Sequence, residues 1–161
     1  MSKGIVDRGL ELRDLAVAQA EKLRSVALLL GRLAIGLIFM STGWGKVHSI
    51  PKVTEFFESL HIPMPGLNAI VASYTELLCG TALVLGVMTR LAALPLVITM
   101  IVAIVTAKRG DIHGFFDLVA FDEFTYIIVL LMIAILGPGG IAIDHVLAKR
   151  FGRDDPKKAE R

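Results

Sequence analysis

The sequence predicts an all-α membrane protein, built as a four-helix transmembrane bundle. Of its 161 residues, 55% are hydrophobic, and the mean hydropathy is +0.69. A membrane crossing needs roughly 20 mostly apolar residues, and four stretches come close to that length: residues 25–45, 67–88, 91–107 and 119–138. The chain begins without the short charged and apolar segments of a signal peptide, so we expect the first span in the mature protein.

Lysine and arginine residues predict the orientation. Most of those outside the spans fall before residue 25, at Arg90, or after residue 148, whereas the opposite side carries Lys46, Lys52, Lys108 and Arg109. Cytoplasmic segments are enriched in these residues, so we expect a multi-pass protein of a bacterial inner membrane with both termini cytoplasmic. The net charge of +2 is small and the basic residues lie at membrane edges, which favours membrane lipids as partners and argues against nucleic acid.

The chain divides into one membrane domain and two flanking segments. Residues 1–24 have the pattern of an amphipathic helix at the cytoplasmic surface, residues 25–140 form the four-span domain, and residues 141–161 form a basic cytoplasmic tail. Pro51 is placed to open a short helix in the outer loop, because a missing N–H is harmless in a first turn. Gly137 begins a glycine-rich stretch that we expect to end the fourth span.

Glu76 is the residue around which the membrane domain is organised. A carboxylate at the bilayer centre costs roughly 2.5–3.5 kcal/mol and needs a partner. At about 1.5 Å per residue, Arg32 lies about 10 Å from one face and Glu76 about 13 Å from the other. In a hydrocarbon core of about 30 Å this leaves about 7 Å between them. We therefore expect Arg32 and Glu76 to pair across the first two spans.

Two interpretations of this pair remain open. It either fixes the register of the helices, as buried ions sometimes do, or forms a polar pocket for a ligand headgroup or a proton path. If Arg32 instead extends to the cytoplasmic headgroups, Glu76 has no ionic partner there.

Cysteine and histidine content limits the chemistry. Cys79 is the single cysteine, which argues against a dithiol relay within the chain. His48, His61 and His113 fall in outer loops at irregular spacing, and we expect them to be solvated and no metal to be bound.

Three motifs carry a family resemblance. They are Arg32-x3-Gly36-x2-Phe39-x3-Gly43-x2-Lys46, then Glu76-x3-Gly80-x2-Leu83-x2-Gly86-x2-Thr89-Arg90-x-Ala92-Ala93, and Gly137-Pro138-Gly139 followed by Asp144. With these, the chain resembles the DoxX family of small four-span membrane proteins, which includes DoxD-like subunits, over about residues 24–144. The resemblance implies a four-helix membrane bundle more firmly than it implies an activity.

Members of that family resemble subunits of a thiosulfate:quinone oxidoreductase, parts of oxidoreductase complexes that answer oxidative or thiol stress, or neighbours of metal-handling proteins. The resemblance therefore implies a membrane subunit of a redox-linked complex, at most an enzyme subunit without its own cofactor. A quinone or a lipid headgroup would bind at the polar region around Arg32 and Glu76, and a redox protein partner would supply electrons. Glu76 and Arg32 are the expected catalytic residues. For a quinone, we expect Glu76 to supply or accept a proton and Arg32 to stabilise the oxyanion of the reduced quinone.

Further ligand-binding candidates accompany this pair: Lys46, Arg90, Trp44, Tyr74 and Glu123. Trp44 also fits an interfacial anchor, and glycine-lined helix faces permit a homodimer. Two other functions stay open, namely a non-catalytic scaffold or assembly protein and a component that handles a small solute or a metal.

Overall fold

The structure is a computed structural model, which describes residues 3–137, 139, 142 and 143. Every regular element in these residues is helical, as the sequence predicts. The elements are α1 (Lys3–Val47), α2 (Ile50–Ser59), α3 (Pro65–Leu85), α4 (Thr89–Ala107), a single 3-10 turn (Arg109–Asp111), α5 (Phe115–Ala120) and α6 (Asp122–Leu136).

Three helices in the described part of the chain are long and apolar enough to cross a membrane: Leu23–Val47 within α1, then α3 and α4. Helix α1 passes through residues 24 and 25 without a break, so the N-terminal segment and the first span are one continuous helix. The amphipathic role of residues 1–24 remains a prediction. The basic tail, residues 141–161, lies almost wholly outside the described residues.

The connection between α3 and α4 is a tight turn, as predicted. Gly86 ends α3 in the left-handed conformation with φ +73°, and its N–H bonds to the carbonyls of Ala82 and Leu83. Glycine adopts this conformation without a steric penalty. The turn consists of residues 86–88, and Thr89 already begins α4. The two helices therefore run antiparallel, side by side.

The fourth predicted span is divided. Phe121 is extended, with φ −75° and ψ 137°, and separates α5 from α6. Helix α6 has 15 residues and is about 22 Å long, shorter than a hydrocarbon core of about 30 Å. It ends at Gly137, whose φ is +83°, as the glycine-rich stretch predicts. The fourth crossing remains a prediction.

The bundle has two distinguishable ends. One, here named the hairpin end, carries the turn 86–88 and Gly137. The other, named the α2 end, carries α2 and α5. Helix α2 opens with Pro51 in its first turn, as predicted. Helix α1 packs along α3, and α4 packs along α6, around a core that includes Ile35, Phe39, Leu83, Leu96 and Leu130.

Candidate functional site

Glycines bring α1 and α3 into backbone contact. A Cβ on Gly43 would collide with the backbone of Leu77, and a Cβ on Gly80 would lie 2.5 Å from the amide nitrogen of Met40. A Cβ on Gly36 would lie 2.9 Å from Val84 Cγ2. Small residues permit such close approach between membrane helices. Because this seam is internal, Gly36, Gly43 and Gly80 serve packing within the chain, whatever its oligomeric state.

Glu76 lies on this seam and is bound through both carboxylate oxygens. Its residue surface is 2% exposed. Lys46 Nζ donates to Oε1 at 2.6 Å, and Thr42 Oγ1 lies 3.2 Å from Oε2. Charge-assisted hydrogen bonds of this kind are stronger than neutral ones. We name Thr42, Lys46 and Glu76 together the Glu76 centre.

Thr42 has a second acceptor within reach. Its hydroxyl oxygen also lies 3.2 Å from the carbonyl oxygen of Phe39, one turn earlier in α1. A threonine hydroxyl has one proton, so the carbonyl and the Glu76 carboxylate compete for it. Thr42 is not among the residues predicted from the sequence, although its position four residues before Lys46 places both on one helix face.

The predicted pair of Arg32 with Glu76 is wrong. Arg32 is 3% exposed, but its guanidinium lies at the hairpin end, where a Cβ on Gly86 would be 2.5 Å from Nη1. Gly86 is about 15 Å along α3 from Glu76. The contacts of Gly43 with Leu77 and of Gly36 with Val84 set the register of α1 against α3, and this register differs from the one expected when each helix is measured from its own membrane boundary.

Arg90 also lies at the hairpin end. It is exposed, and a Cβ on Gly137 would be 3.0 Å from its Nε and Nη2 atoms. The guanidinium therefore lies against the C-terminus of α6, where a positive charge is favoured by the helix dipole.

Trp44 and Tyr74 lie on outward faces of their helices. Trp44 is 60% exposed and its ring centroid lies 4.4 Å from that of His48. With Met40, Ser41, Leu77 and Thr81 it lines an apolar groove of about 400 Å³. Tyr74 is 46% exposed. Neither ring joins the Glu76 centre.

Glu123 occupies the first turn of α6 and is half-buried. Of the predicted site residues, the structure therefore brings together Lys46 and Glu76, places Glu123 at the α2 end, and leaves Arg32 and Arg90 at the hairpin end. Ligand binding by any of them remains a prediction.

Two of the loop histidines, His48 and His113, have local contacts. His48 lies on Trp44, and the backbone N–H of His113 donates to Asp117 at 3.0 Å. Within the described residues, no three His, Cys, Asp or Glu side chains are grouped as metal ligands would be.

Comparisons with known proteins agree with the motif assignment. The DoxX family model matches residues 27–109, which include the first two motifs. An uncharacterised membrane protein of Mycobacterium tuberculosis is 32% identical over 130 residues, covering 74% of this chain and 80% of its own. The inner membrane protein YphA of Escherichia coli is 34% identical over 129 residues, covering 76% and 91%.

A third relative carries a functional name. The Bacillus subtilis protein named "Putative oxidoreductase CatD" is 30% identical over 127 residues, covering 77% of this chain and 89% of its own. No solved structure matches the chain. The family match and the apolar helices together confirm the resemblance, and the chain belongs to the DoxX family of membrane proteins.

Proposed function

We propose that this protein is the membrane component of a redox-linked complex and that its Glu76 centre binds the polar head of a quinone or a lipid. The observation that carries the proposal is a carboxylate 2% exposed within an apolar helix pair, held by a donor on each oxygen. Ionisable groups in membrane helices are costly and are usually functional.

The relatives support the redox link and the location. One is named "Putative oxidoreductase CatD", and YphA is named an inner membrane protein. We accordingly propose a multi-pass protein of a bacterial inner membrane, with both termini cytoplasmic, that receives electrons from a partner protein.

The residues of the centre suit such a headgroup. Lys46 has three N–H donors, and one of them is directed at Glu76. In this proposal Lys46 takes the role expected of Arg32, since Lys46 is the cation that contacts Glu76. Glu76 holds the ammonium in position and is the group able to accept a proton. A bound quinone would supply carbonyl oxygens that take up electrons together with protons.

Gentle extraction from the native membrane tests the proposal. Mass spectrometry would measure co-purifying quinone in the wild type, in Glu76→Gln, and in Glu55→Gln as the matched control, because Glu55 is exposed on α2. We expect quinone with the wild type and the control and at least a tenfold loss in Glu76→Gln. Equal quinone in all three proteins would contradict the proposed site.

A scaffold function is the second candidate, and the glycine seam favours it. The ion pair of Lys46 with Glu76 joins the same two helices that the glycines bring together, and such a pair is able to fix register alone. If only bulk lipid accompanies every protein in the extraction, the scaffold function becomes the better account.

A further inference from the structure

Helices α1 and α6 touch at the hairpin end and separate toward the α2 end. Gly31, Ile35 and Thr42 fall on one side of α1 by helical spacing. A Cβ on Gly31 would lie 3.9 Å from Val129 Cγ1 of α6, and Ile35 is 5% exposed. Thr42, on the same side but nearer the α2 end, is exposed. The side of α1 that faces α6 is therefore open around Thr42.

The residues of α6 are also less buried toward the α2 end. Leu130 and Ile133 are buried, whereas no residue between Asp122 and Val129 is. The edge-to-face contact of Tyr126 with Phe39, at 5.9 Å between centroids, marks where the two helices still meet. One turn farther toward the α2 end from this contact, α1 carries Thr42 and α6 carries Glu123.

The donors of the Glu76 centre are more exposed than its carboxylate. The Glu76 side chain is 3% exposed, whereas that of Lys46 is 36% exposed. Thr42 is likewise exposed, so the two donors are the accessible members of the centre. A ligand that approached along this route would meet the ammonium group before the carboxylate.

We infer that a polar cleft between α1 and α6, lined by Thr42, Lys46 and Glu123, opens at the α2 end and is the entry route to the Glu76 centre. Because Lys46 offers N–H donors, the cleft takes a headgroup with an acceptor oxygen, either a quinone carbonyl or a lipid phosphate. The choice of ligand rests on the proposed function, whereas the opening of the cleft does not. The charge distribution predicts that the α2 end is the outer face.

Cysteine labelling tests the cleft. In a Cys79→Ser background, which removes the single native cysteine, we would introduce Thr42→Cys, Ser41→Cys or Glu55→Cys and react sealed vesicles with a membrane-impermeant maleimide. Ser41 is the matched control, because it is adjacent in depth but lines the apolar groove. Glu55→Cys reports which side of the vesicle the α2 end occupies.

We expect Thr42→Cys to react from the same side as Glu55→Cys and at least tenfold faster than Ser41→Cys. If Thr42→Cys were labelled at the same rate as Ser41→Cys, or only from the side opposite to Glu55→Cys, the proposed cleft would be contradicted.

Protection from labelling then tests the ligand. A short-chain quinone and a short-chain phosphatidylglycerol would be added separately, and each is expected to slow labelling of Thr42→Cys only if it enters the cleft. Protection by one of them identifies the source of the acceptor oxygen. Open labelling that neither compound slows would leave the cleft standing and contradict the proposed ligand.

Discussion

Thr42 determines how firmly Glu76 is held. Its hydroxyl oxygen lies 3.2 Å from two acceptors, the Phe39 carbonyl and the Glu76 carboxylate, and has one proton to donate. The carbonyl already accepts in the helix, so the charged oxygen gains more from the proton. If Glu76 takes up a proton, the hydroxyl is able to turn to Phe39 without leaving a donor unsatisfied. Thr42 is therefore a positioning residue for the carboxylate.

The Thr42→Val substitution should lower the free energy of unfolding by about 1.5 kcal/mol, because hydrogen bonds to charged groups contribute about 1.5–3 kcal/mol and this one is long. Thr99→Val is the control, since the Thr99 hydroxyl donates within its own helix to Leu96, and it should cost less. Unfolding by SDS in mixed micelles measures both. If both variants lost the same free energy of unfolding, the hydrogen bond from Thr42 to Glu76 would be contradicted.

At the residue scale, the sequence predicted that Glu76 is buried and paired, but it did not predict that the partner is Lys46. A carboxylate in the membrane needs a partner, and the depths estimated from residue spacing pointed to Arg32 as that partner. A long lysine stem reaches well beyond its own Cα position. Contacts across helices depend on register, which hydropathy does not determine.

At the scale of elements, the glycine seam sets that register. Gly43 lies against the backbone of Leu77, next to Glu76, and Gly36 lies against Val84. These close contacts hold Lys46 within 2.6 Å of the carboxylate. A small displacement of α1 from α3 therefore weakens both packing and the Glu76 centre.

The Gly43→Ala substitution should lower the free energy of unfolding by about 1–3 kcal/mol, as overpacking does, and should weaken retention of the ligand. Gly45→Ala is the control, because a Cβ there would meet nothing within 4 Å. Gly45→Ala should leave the free energy of unfolding unchanged or raise it by up to about 1 kcal/mol, because alanine has the higher helix propensity. SDS unfolding compares the two, and a Gly43→Ala protein as stable as Gly45→Ala would contradict the close seam.

Local signals predicted most helix boundaries. The turn after α3, the proline at the start of α2 and the glycine after α6 each follow from backbone preferences of those residues. The break at Phe121 was missed because the predicted span was extended to residue 119 to reach the length of a crossing, past Asp122 and Glu123, which are typical of the first turn of a helix. The continuity of α1 was missed because a change in polarity at residue 24 does not by itself end a helix.

At the scale of the whole molecule, buried residues run along most of the bundle. Leu83 and Leu96 are buried toward the hairpin end, and Ala69 and Ile104 toward the α2 end, where the side chain of Lys46 is 36% exposed. The apolar core fixes the fold, and the partly exposed Lys46 is the part of the Glu76 centre that a polar ligand would meet first.

The number of crossings decides the topology. If α6 completes a fourth crossing, both termini lie on one side, whereas three crossings place them on opposite sides. Reporters fused before Met1 and after Arg161 should both give cytoplasmic signals, and one inserted after the exposed Gly110 should give an outer signal. Termini on opposite sides would show that α6 does not cross.

A pair of double-mutant cycles tests the central claim most directly, namely that Lys46 and not Arg32 holds Glu76. Glu76→Gln would be combined with Lys46→Met and, separately, with Arg32→Gln, and the unfolding free energies measured. We predict a coupling of about 1–3 kcal/mol for Lys46 with Glu76, as for residues in contact, and below about 0.5 kcal/mol for Arg32 with Glu76. Additive effects at Lys46 together with strong coupling at Arg32 would contradict the site described above.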